Sequence, residues 1–311
     1  MQQIHCLLNS LAHCISPKAD ARPLFFGAWD TPFAVEEDRL TYFSSQITNE
    51  TYVSMFELLY EKKLETWYDY QLTKEANYER LRNLAESVTP GKHLLVQLDL
   101  YYLRYETRSF GNIHQPHFVI ILHQQDEKWF VLDPYFAWEG TLTEEEMYSA
   151  FFNNALGGGF FLDTENFRSP LKDAVCAQFE QGFALERNQL AHETKELVRR
   201  FMDEPYENSK AVLTKAFSQV GIISKRKWCY VLAFDYFSES EGIHSDTQGF
   251  DEVEKLVKGW NAFGYLAIRA SMGVTPLHKL LEKAEELELQ EHQLKEKLWN
   301  LYKAWRRAQS T

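Results

Sequence analysis

Two short runs of strand-forming residues, joined by a polar turn, place the strongest constraint on the fold of this 311-residue chain. Residues 117–123 and 128–132 are rich in β-branched and aromatic side chains, and residues 124–127 between them are polar. This pattern predicts an antiparallel β-hairpin. Residues 93–105 are also rich in strand formers, so we expect the hairpin to belong to a small antiparallel sheet.

Residues 4–16 form a helical pattern near the amino end of the chain. Its apolar face consists of Leu7, Leu8, Leu11 and Ile15. Cys6 falls in the first turn, where unpaired backbone N–H groups and the positive end of the helix dipole favour a thiolate over a thiol. The sequence therefore makes Cys6 a candidate nucleophile.

The length and composition predict a folded protein of two domains. A hydrophobic fraction of 45% and an aromatic fraction of 15% fit a globular chain, and 311 residues are typical of two domains or one elaborate one. Helical patterns dominate after residue 165. We therefore predict an α+β fold, with a catalytic domain at residues 1–165 and a mostly α-helical domain at residues 166–311.

The net charge argues against polyanionic partners. The chain carries a formal charge of −12 and has a pI near 5.4. Electrostatics therefore disfavour nucleic-acid backbones and anionic membrane surfaces as partners. A cationic small molecule is compatible with this charge, and so is simple solubility.

The sequence also predicts a cytoplasmic protein. No apolar run approaches the roughly 20 residues that a membrane-spanning helix needs, and no basic segment followed by an apolar stretch indicates a secretion signal. The cysteines at positions 6, 14, 176 and 229 are irregularly spaced, unlike a disulfide framework. We expect a reducing compartment.

His117 and Asp133 are the candidate partners of the Cys6 thiol. A cysteine nucleophile needs a base within hydrogen-bond reach and a group that orients the base. His117 opens the first strand of the hairpin, and Asp133 ends the second, directly before Pro134. If the hairpin pairs without a bulge, His117 lies opposite Asp133. The sequence therefore predicts a Cys–His–Asp site in the chain order of papain-like folds.

Taken alone, each of these three residues could have a structural role instead.

A metal site is the alternative function of the first helix. His5, Cys6, His13 and Cys14 repeat along it. At a rise of 1.5 Å per residue, Cys6 and His13 lie about 10 Å apart. Zinc ligands converge on one ion at about 2.0–2.3 Å, so one straight helix cannot supply both pairs to one ion.

Four short motifs carry a resemblance to a known family. They are His5-Cys6, residues 96–103, residues 116–119 and residues 132–134. With these motifs the first part of the chain, to about residue 140, resembles the papain-like acyltransferases of the butirosin biosynthesis H type. The resemblance implies a papain-like domain in which a central helix packs on an antiparallel sheet.

The resemblance also implies roles for three residues. By motif position, Cys6 is the nucleophile, His117 the general base and acid, and Asp133 the group that orients the imidazole. The implied reaction moves an acyl group from the phosphopantetheine thioester of an aryl or acyl carrier protein, through a cysteine thioester, to an amine. No cofactor is implied on this chain, because the phosphopantetheine belongs to the carrier protein.

Within that family the length, the acidity and the aromatic-rich helical second half are most similar to the petrobactin-type condensing proteins. For these the implied acyl group is 3,4-dihydroxybenzoyl. The implied acceptor is an amine of spermidine or of a citryl-polyamine.

Four further residues are candidates for substrate contacts. The oxyanion hole needs a donor besides the Cys6 N–H, and we assign it to Gln97. Asp99 either anchors a substrate ammonium or acts as a structural carboxylate at a strand end. Tyr101 and Trp29 either stack on an aryl group or pack in a core.

Two other functions use the same features differently. A cysteine amidase or peptidase would employ the same triad. A non-enzymatic interaction protein would instead use an apolar stripe on the last helix, which consists of Leu280, Ala284, Leu287, Leu294, Leu298, Leu301 and Trp305 and is interrupted at Glu291. This stripe either packs within its own domain or forms the seam of a coiled-coil homodimer.

Overall fold

The protein is an α+β structure that divides into two compact units. The computed structural model describes residues 2–44, 47–203, 209–239 and 247–308. One unit consists of Met1–Leu24 and Asn49–Ala174, and the other of Phe25–Thr48 and Val175–Thr311. The predicted α+β class is confirmed, and so is the helical character of the later part of the chain.

The strands of the described chain lie in two sheets. They are β1 (Ala34–Glu36), β2 (Arg39–Thr41), β3 (Glu65–Thr66), β4 (Lys92–Asp99), β5 (Pro116–Gln125), β6 (Lys128–Asp133), β7 (Trp138–Thr143) and β8 (Gly159–Asp163). In the second unit, β1 and β2 pair with each other. The other six strands form an antiparallel sheet in the first unit, in the order β3-β8-β4-β5-β6-β7.

The helices divide between the units in the same way. They are α1 (Cys6–Ile15), α2 (Glu50–Tyr60), α3 (Lys74–Ala85), α4 (Glu144–Phe152), α5 (Lys172–Gly182), α6 (Gln189–Asp203), α7 (Ser209–Ala216), α8 (Val220–Ser224), α9 (Cys229–Glu239), α10 (Thr247–Ser271) and α11 (His278–Ala308). The first four belong to the first unit and the last six to the second. None of these described helices combines the length and apolarity that crossing a bilayer requires.

One face of the central sheet forms the apolar core of the first unit. Alternate residues of a strand point to the same face, and those of β4, β5 and β6 pack with residues of α3 and α4. This core includes Leu81, Leu94, Val96, Leu98, Val119, Ile121, Val131, Met147 and Phe151. The packed core holds the ends of three neighbouring strands in fixed positions, and the candidate site lies at those ends.

The hairpin of β5 and β6 differs from the predicted one in its turn and its register. Asp126 and Glu127 have φ angles of +49° and +59°, as a tight two-residue turn requires. Farther along, the register shifts at a bulge between Ile121 and His123. A β-bulge places an extra residue in one strand and displaces all later pairs.

The observed register corrects the predicted pairing of His117 with Asp133. The two-residue turn pairs Gln125 with Lys128, and the bulge then shifts the pairs beyond it by one residue. Beyond it Ile120 pairs with Leu132, so continuing this register brings Asp133 level with Val119. His117 lies two residues farther along β5 and on the same face, because side-chain direction repeats every second residue. The two side chains therefore meet diagonally and not directly across the ladder.

Strand β4 ends at Asp99 and not at residue 105, as its run of strand formers predicts. Leu100–Tyr102 form a 3-10 turn, and the Asp99 carboxylate accepts a hydrogen bond from the Tyr101 N–H at 3.0 Å. Aspartate side chains compete with the ladder for backbone N–H groups in this way. The strand therefore stops where its carboxylate can bind the next turn.

Residues 25–48 fold with the second unit, which a single boundary after residue 165 does not anticipate. Lys227 donates a hydrogen bond to the Trp29 carbonyl at 2.9 Å. The Trp29 ring stacks on Tyr230 with the ring centroids 4.7 Å apart. These contacts join residues far apart in sequence, which local patterns do not reveal.

The apolar stripe of the last helix is buried inside the second unit. Exposure is 2% or less for Leu280, Ala284, Leu287, Leu294, Leu298 and Trp305, and Leu301 is partly buried. Helix α11 packs against α6, α9 and α10. The prediction that the stripe packs within its own domain is confirmed, and the stripe is not free to form a coiled-coil seam.

The residue that interrupts the stripe, Glu291, is fully buried and paired. Its Oε1 accepts hydrogen bonds from the Lys227 ammonium at 2.6 Å and from the Tyr230 hydroxyl at 2.7 Å. Its Oε2 accepts one from Asn188 at 2.9 Å. A buried charge is stable only when it is paired and hydrogen-bonded, so these donors explain why the stripe tolerates a glutamate.

Glu291→Gln should destabilise the protein strongly, because a neutral amide leaves the buried Lys227 ammonium without its nearest carboxylate. Removing one partner of a buried ion pair costs about 3–5 kcal/mol, and urea unfolding of the full chain measures the loss. The control Glu285→Gln changes an exposed residue of the same helix and should alter the free energy of unfolding by less than about 0.5 kcal/mol. Equal unfolding midpoints for Glu291→Gln and the unchanged protein would contradict this role.

Candidate active site

The segment that leads into helix α1 is held by a side chain from that helix. Asn9 is fully buried, and its Oδ1 accepts hydrogen bonds from the N–H groups of Ile4 and His5 at 3.2 and 3.0 Å. Its Nδ2 donates to the Gln2 carbonyl at 2.8 Å. Three bonds from one side chain thus fix the backbone immediately before Cys6.

Cys6 is the first residue of α1, as the sequence predicts, and its side chain is buried. Its N–H belongs to the first turn, where the helix itself supplies no acceptor. The helix dipole adds partial positive charge at the same end. Cys6 therefore combines a nucleophilic atom with a backbone donor suited to a developing negative charge.

The imidazole of His117 lies between the cysteine and the aspartate. Its Nε2 is 2.7 Å from Asp133 Oδ2, which leaves Nδ1 for the Cys6 thiol. Burial lowers the pKa of His117, but the charges and hydrogen bonds of Asp133 and Cys6 outweigh it and raise the pKa to about 10. The ring is therefore an imidazolium at neutral pH.

The Asp133 carboxylate is fully buried and accepts four hydrogen bonds. Oδ2 accepts from His117 at 2.7 Å and from the Tyr105 hydroxyl at 2.8 Å. Oδ1 accepts from the N–H groups of Tyr135 and Phe136 at 3.0 and 3.2 Å. Burial raises the pKa of Asp133, but the charge of His117 and these hydrogen bonds lower it below its ordinary value. The carboxylate therefore stays ionised and orients the ring.

Aromatic rings surround the His117 imidazole. Those of Tyr135 and Phe136 lie 5.5 and 5.1 Å from it between centroids. Tyr105 stacks on Trp138 at 3.9 Å. Burial raises the pKa of both tyrosines, so the Tyr105 hydroxyl keeps the proton that it donates. Apolar surroundings also strengthen the attraction between the imidazolium and the carboxylate.

Two of the other cysteines keep their protons at neutral pH. All four cysteines are free thiols. Burial raises the pKa of Cys14 and of Cys229, so both remain protonated at neutral pH. The Cys6 side chain lies beside the His117 ring.

The histidines and cysteines of α1 do not converge on a metal ion. His5 packs its ring against Tyr52, with centroids 4.3 Å apart. Within the residues that the structure describes, no group of three or more His, Cys, Asp or Glu side chains is arranged to hold a metal.

Gln97, the predicted second oxyanion donor, is bonded to Asn154. The Asn154 Nδ2 donates to the Gln97 carbonyl at 2.9 Å and to its Oε1 at 3.3 Å. This pairing occupies the amide oxygen and leaves Nε2 as the donor end. Gln97 pairs with Phe118, the neighbour of His117 in β5. The oxyanion role of Gln97 stays a prediction.

Asp99 makes the contacts of a structural carboxylate at a strand end, and its role as an anchor for a substrate ammonium stays a prediction. Its Oδ1 accepts hydrogen bonds from the N–H groups of Tyr101 and Gln115, each at 3.0 Å. Its Oδ2 lies 2.7 Å from His114 Nδ1. Tyr101 stacks on the His114 ring at 4.2 Å, so neither predicted residue is free of protein contacts.

Trp29 lies in the second unit, so the structure does not place it with the triad. Its ring is buried and packs against Tyr230, Phe179 and Phe183. These contacts are those of a ring packed in a core, which is one of the two roles that the sequence left open. The stacking of Trp29 on an aryl substrate stays a prediction.

The sequence analysis missed two residues that complete the site, Tyr105 and Asn9. Tyr105 lies 28 residues before Asp133, and no spacing rule connects the two. Asn9 had a usable signal, because it is a polar residue inside the apolar helical pattern of residues 4–16. Such a residue is buried only with its hydrogen bonds satisfied.

Comparisons with known proteins cover the whole chain. The DUF6005 N-terminal domain matches residues 1–167, and the DUF6005 C-terminal domain matches residues 173–311. Petrobactin synthase of Bacillus anthracis is 30% identical over 318 residues, which span 99% of this chain and 97% of that protein. The resemblance to petrobactin-type condensing proteins is thereby confirmed.

Asp133→Asn should slow the alkylation of Cys6 by iodoacetamide at neutral pH. Without the carboxylate charge the pKa of His117 falls, and the imidazolium that favours the thiolate is lost. We expect a decrease of at least about tenfold, since thiolates and not thiols react. Peptide mass spectrometry gives the rate at Cys6, with Asp126→Asn in the exposed turn as control. An unchanged rate in Asp133→Asn would contradict the ion-pair description.

Proposed function

The chain belongs to the DUF6005 family, and from this membership and the geometry of the site we propose that it is a cysteine-dependent acyltransferase of siderophore biosynthesis. The observation that carries the proposal is a cysteine at a helix start beside an imidazolium that a buried carboxylate holds. The name of the 30% identical relative, petrobactin synthase, supports the biosynthetic route.

In the first half-reaction the Cys6 thiolate attacks the carbonyl of an acyl thioester carried by the phosphopantetheine of a carrier protein. The bond from the carbonyl carbon to the phosphopantetheine sulfur then breaks. His117 gives its Nδ1 proton to the leaving sulfur, which departs as a thiol. The products are acyl-Cys6 and a neutral His117, whose ring Asp133 keeps in place through Nε2.

In the second half-reaction an amine attacks the carbonyl of acyl-Cys6. The nitrogen loses a proton to His117 Nδ1, and the carbon–sulfur bond of Cys6 breaks. An amide leaves, and the thiolate–imidazolium pair is restored. His117 thus acts as an acid in the first half-reaction and as a base in the second. The charges of Asp133 and Cys6 raise its pKa, and the charge of Cys6 is lost while this residue carries the acyl group.

Both half-reactions pass through a tetrahedral oxyanion that needs donors. The Cys6 N–H at the start of α1 is the first donor that we assign, and Gln97 Nε2 is the second. Asn154 holds the other end of the Gln97 amide. Removal of one such donor typically costs about 2.7–4 kcal/mol of barrier.

The acyl group that we propose is 3,4-dihydroxybenzoyl, and the acceptor is a spermidine-type amine. The relative's name supports the siderophore part of this assignment, and the net charge of −12 is compatible with a polycationic acceptor. A helix packed against an antiparallel sheet strand, as α1 is against β5, supports our inference that the first unit is papain-like. A cytoplasmic location is part of the same proposal.

Intact-mass spectrometry tests the proposal. The full chain, mixed with a carrier protein loaded with 3,4-dihydroxybenzoate, should gain one dihydroxybenzoyl group that maps to Cys6. Cys6→Ala should gain none, and Cys14→Ala, changed on the same helix, should still be acylated. Full transfer activity in Cys6→Ala, or an adduct on another residue, would contradict the mechanism.

A cysteine amidase or peptidase would use the same three residues, and product analysis separates the two. Added spermidine should become acylated faster than free 3,4-dihydroxybenzoate forms. Release of the free acid alone would favour the hydrolase.

A further inference from the structure

The ring of one exposed histidine, His114, is held in place by a hydrogen bond and by stacking. The His114 side chain is 61% exposed, yet its Nδ1 lies 2.7 Å from Oδ2 of Asp99, whose side chain is only 3% exposed. The ring stacks on Tyr101 with the centroids 4.2 Å apart and the planes inclined by 3°. Exposed side chains usually keep their rotamer freedom, which costs free energy to remove. Here the hydrogen bond to the Asp99 carboxylate and the stacking on the Tyr101 ring together remove the rotamer freedom of His114.

The carboxylate also determines which nitrogen of His114 faces outward. Asp99 Oδ1 is occupied by two backbone N–H groups, and Oδ2 takes Nδ1 of the ring. Nδ1 therefore carries a proton, and Nε2 is the nitrogen left to accept one. Carboxylates orient the imidazoles of general bases in the same way. Two further titratable side chains, those of Tyr101 and Tyr102, also face the ring.

His114 lies at the same end of the sheet as the triad. The ladder pairs Leu98 with His117 and Asp99 with Pro116. The Asp99 backbone therefore lies one rung beyond the Leu98–His117 pair, a rise of about 3.3 Å along the strand, and its side chain starts on the opposite face of the sheet. Both histidines lie at this rim, one buried and one exposed to solvent.

The proposed second half-reaction leaves one proton without an acceptor. An alkylamine near neutral pH is an ammonium, with a pKa close to that of lysine, about 10.4. It must lose one proton before it can attack and a second while the amide forms. His117 takes one and keeps it as the imidazolium beside the Cys6 thiolate. The other proton needs a second base.

We propose that His114, oriented by Asp99, accepts at Nε2 the proton that the substrate ammonium loses before it attacks acyl-Cys6. The inference rests on the proposed function and adds a residue to it. No bond other than N–H forms or breaks in this step: the ammonium becomes an amine, and His114 becomes an imidazolium. Its exposure lets it return the proton to water.

The test measures the second half-reaction alone. Acyl-Cys6 is formed from the loaded carrier protein, and its decay is followed by intact mass with spermidine or with hydroxylamine. Hydroxylamine is uncharged at neutral pH, so it needs no base before it attacks. The variant is His114→Gln, and the control is His123→Gln, at the other end of β5, where the ring stacks on Phe130.

We expect His114→Gln to form acyl-Cys6 normally but to transfer it to spermidine about 10²-fold more slowly at neutral pH, the low end for a general base. The difference in transfer rate between His114→Gln and the unchanged protein should shrink as the pH approaches the pKa of the spermidine amines. With hydroxylamine, the variant should react as fast as the unchanged protein. Equal slowing with both acceptors, or no slowing with spermidine, would overturn the inference alone. Failure of the unchanged protein to form acyl-Cys6 would overturn the proposed function and this inference with it.

Discussion

The buried pair of His117 and Asp133 is the interaction on which the site depends. Burying a carboxylate costs free energy unless its oxygens accept hydrogen bonds. Asp133 accepts four, from three segments of the chain. Because the carboxylate stays ionised, the imidazole beside it holds its proton. The charged ring then lies beside the Cys6 thiol. Each step requires the previous one, so the electrostatics of the site begin at Asp133.

Regular elements hold these groups in position. Cys6 begins a helix whose entry Asn9 fixes by three hydrogen bonds, while His117 and Asp133 lie at the ends of paired strands. Catalytic groups on helices and strands are placed more accurately than groups on loops. The β-bulge is part of this arrangement, because it sets the diagonal approach of His117 to Asp133.

Local signals in the sequence predicted Cys6, His117 and Asp133, which the fold brings together. Cys6 at a helix start and His117 at a strand start both follow from periodicity and turn chemistry, and chain order suggested their partnership. The register did not follow, since the turn lies at Asp126 and Glu127 and a bulge shifts the pairs beyond it. The positions of Tyr105 and Trp29 depend on contacts between distant segments. Tyr105 donates a hydrogen bond to Asp133, which the sequence did not predict, and Trp29 packs in the core of the second unit. In the sequence, Glu291 was recognisable only as an interruption of an apolar stripe. Its pairing with Lys227 is known only from the fold.

The protonation state of His117 is the central claim, and ¹⁵N NMR of its imidazole nitrogens measures it directly. We expect both nitrogens to carry protons at neutral pH, with a titration close to pH 10 that moves to lower pH in Cys6→Ala. A neutral ring that titrates near the ordinary histidine value, about 6.5, would contradict the account.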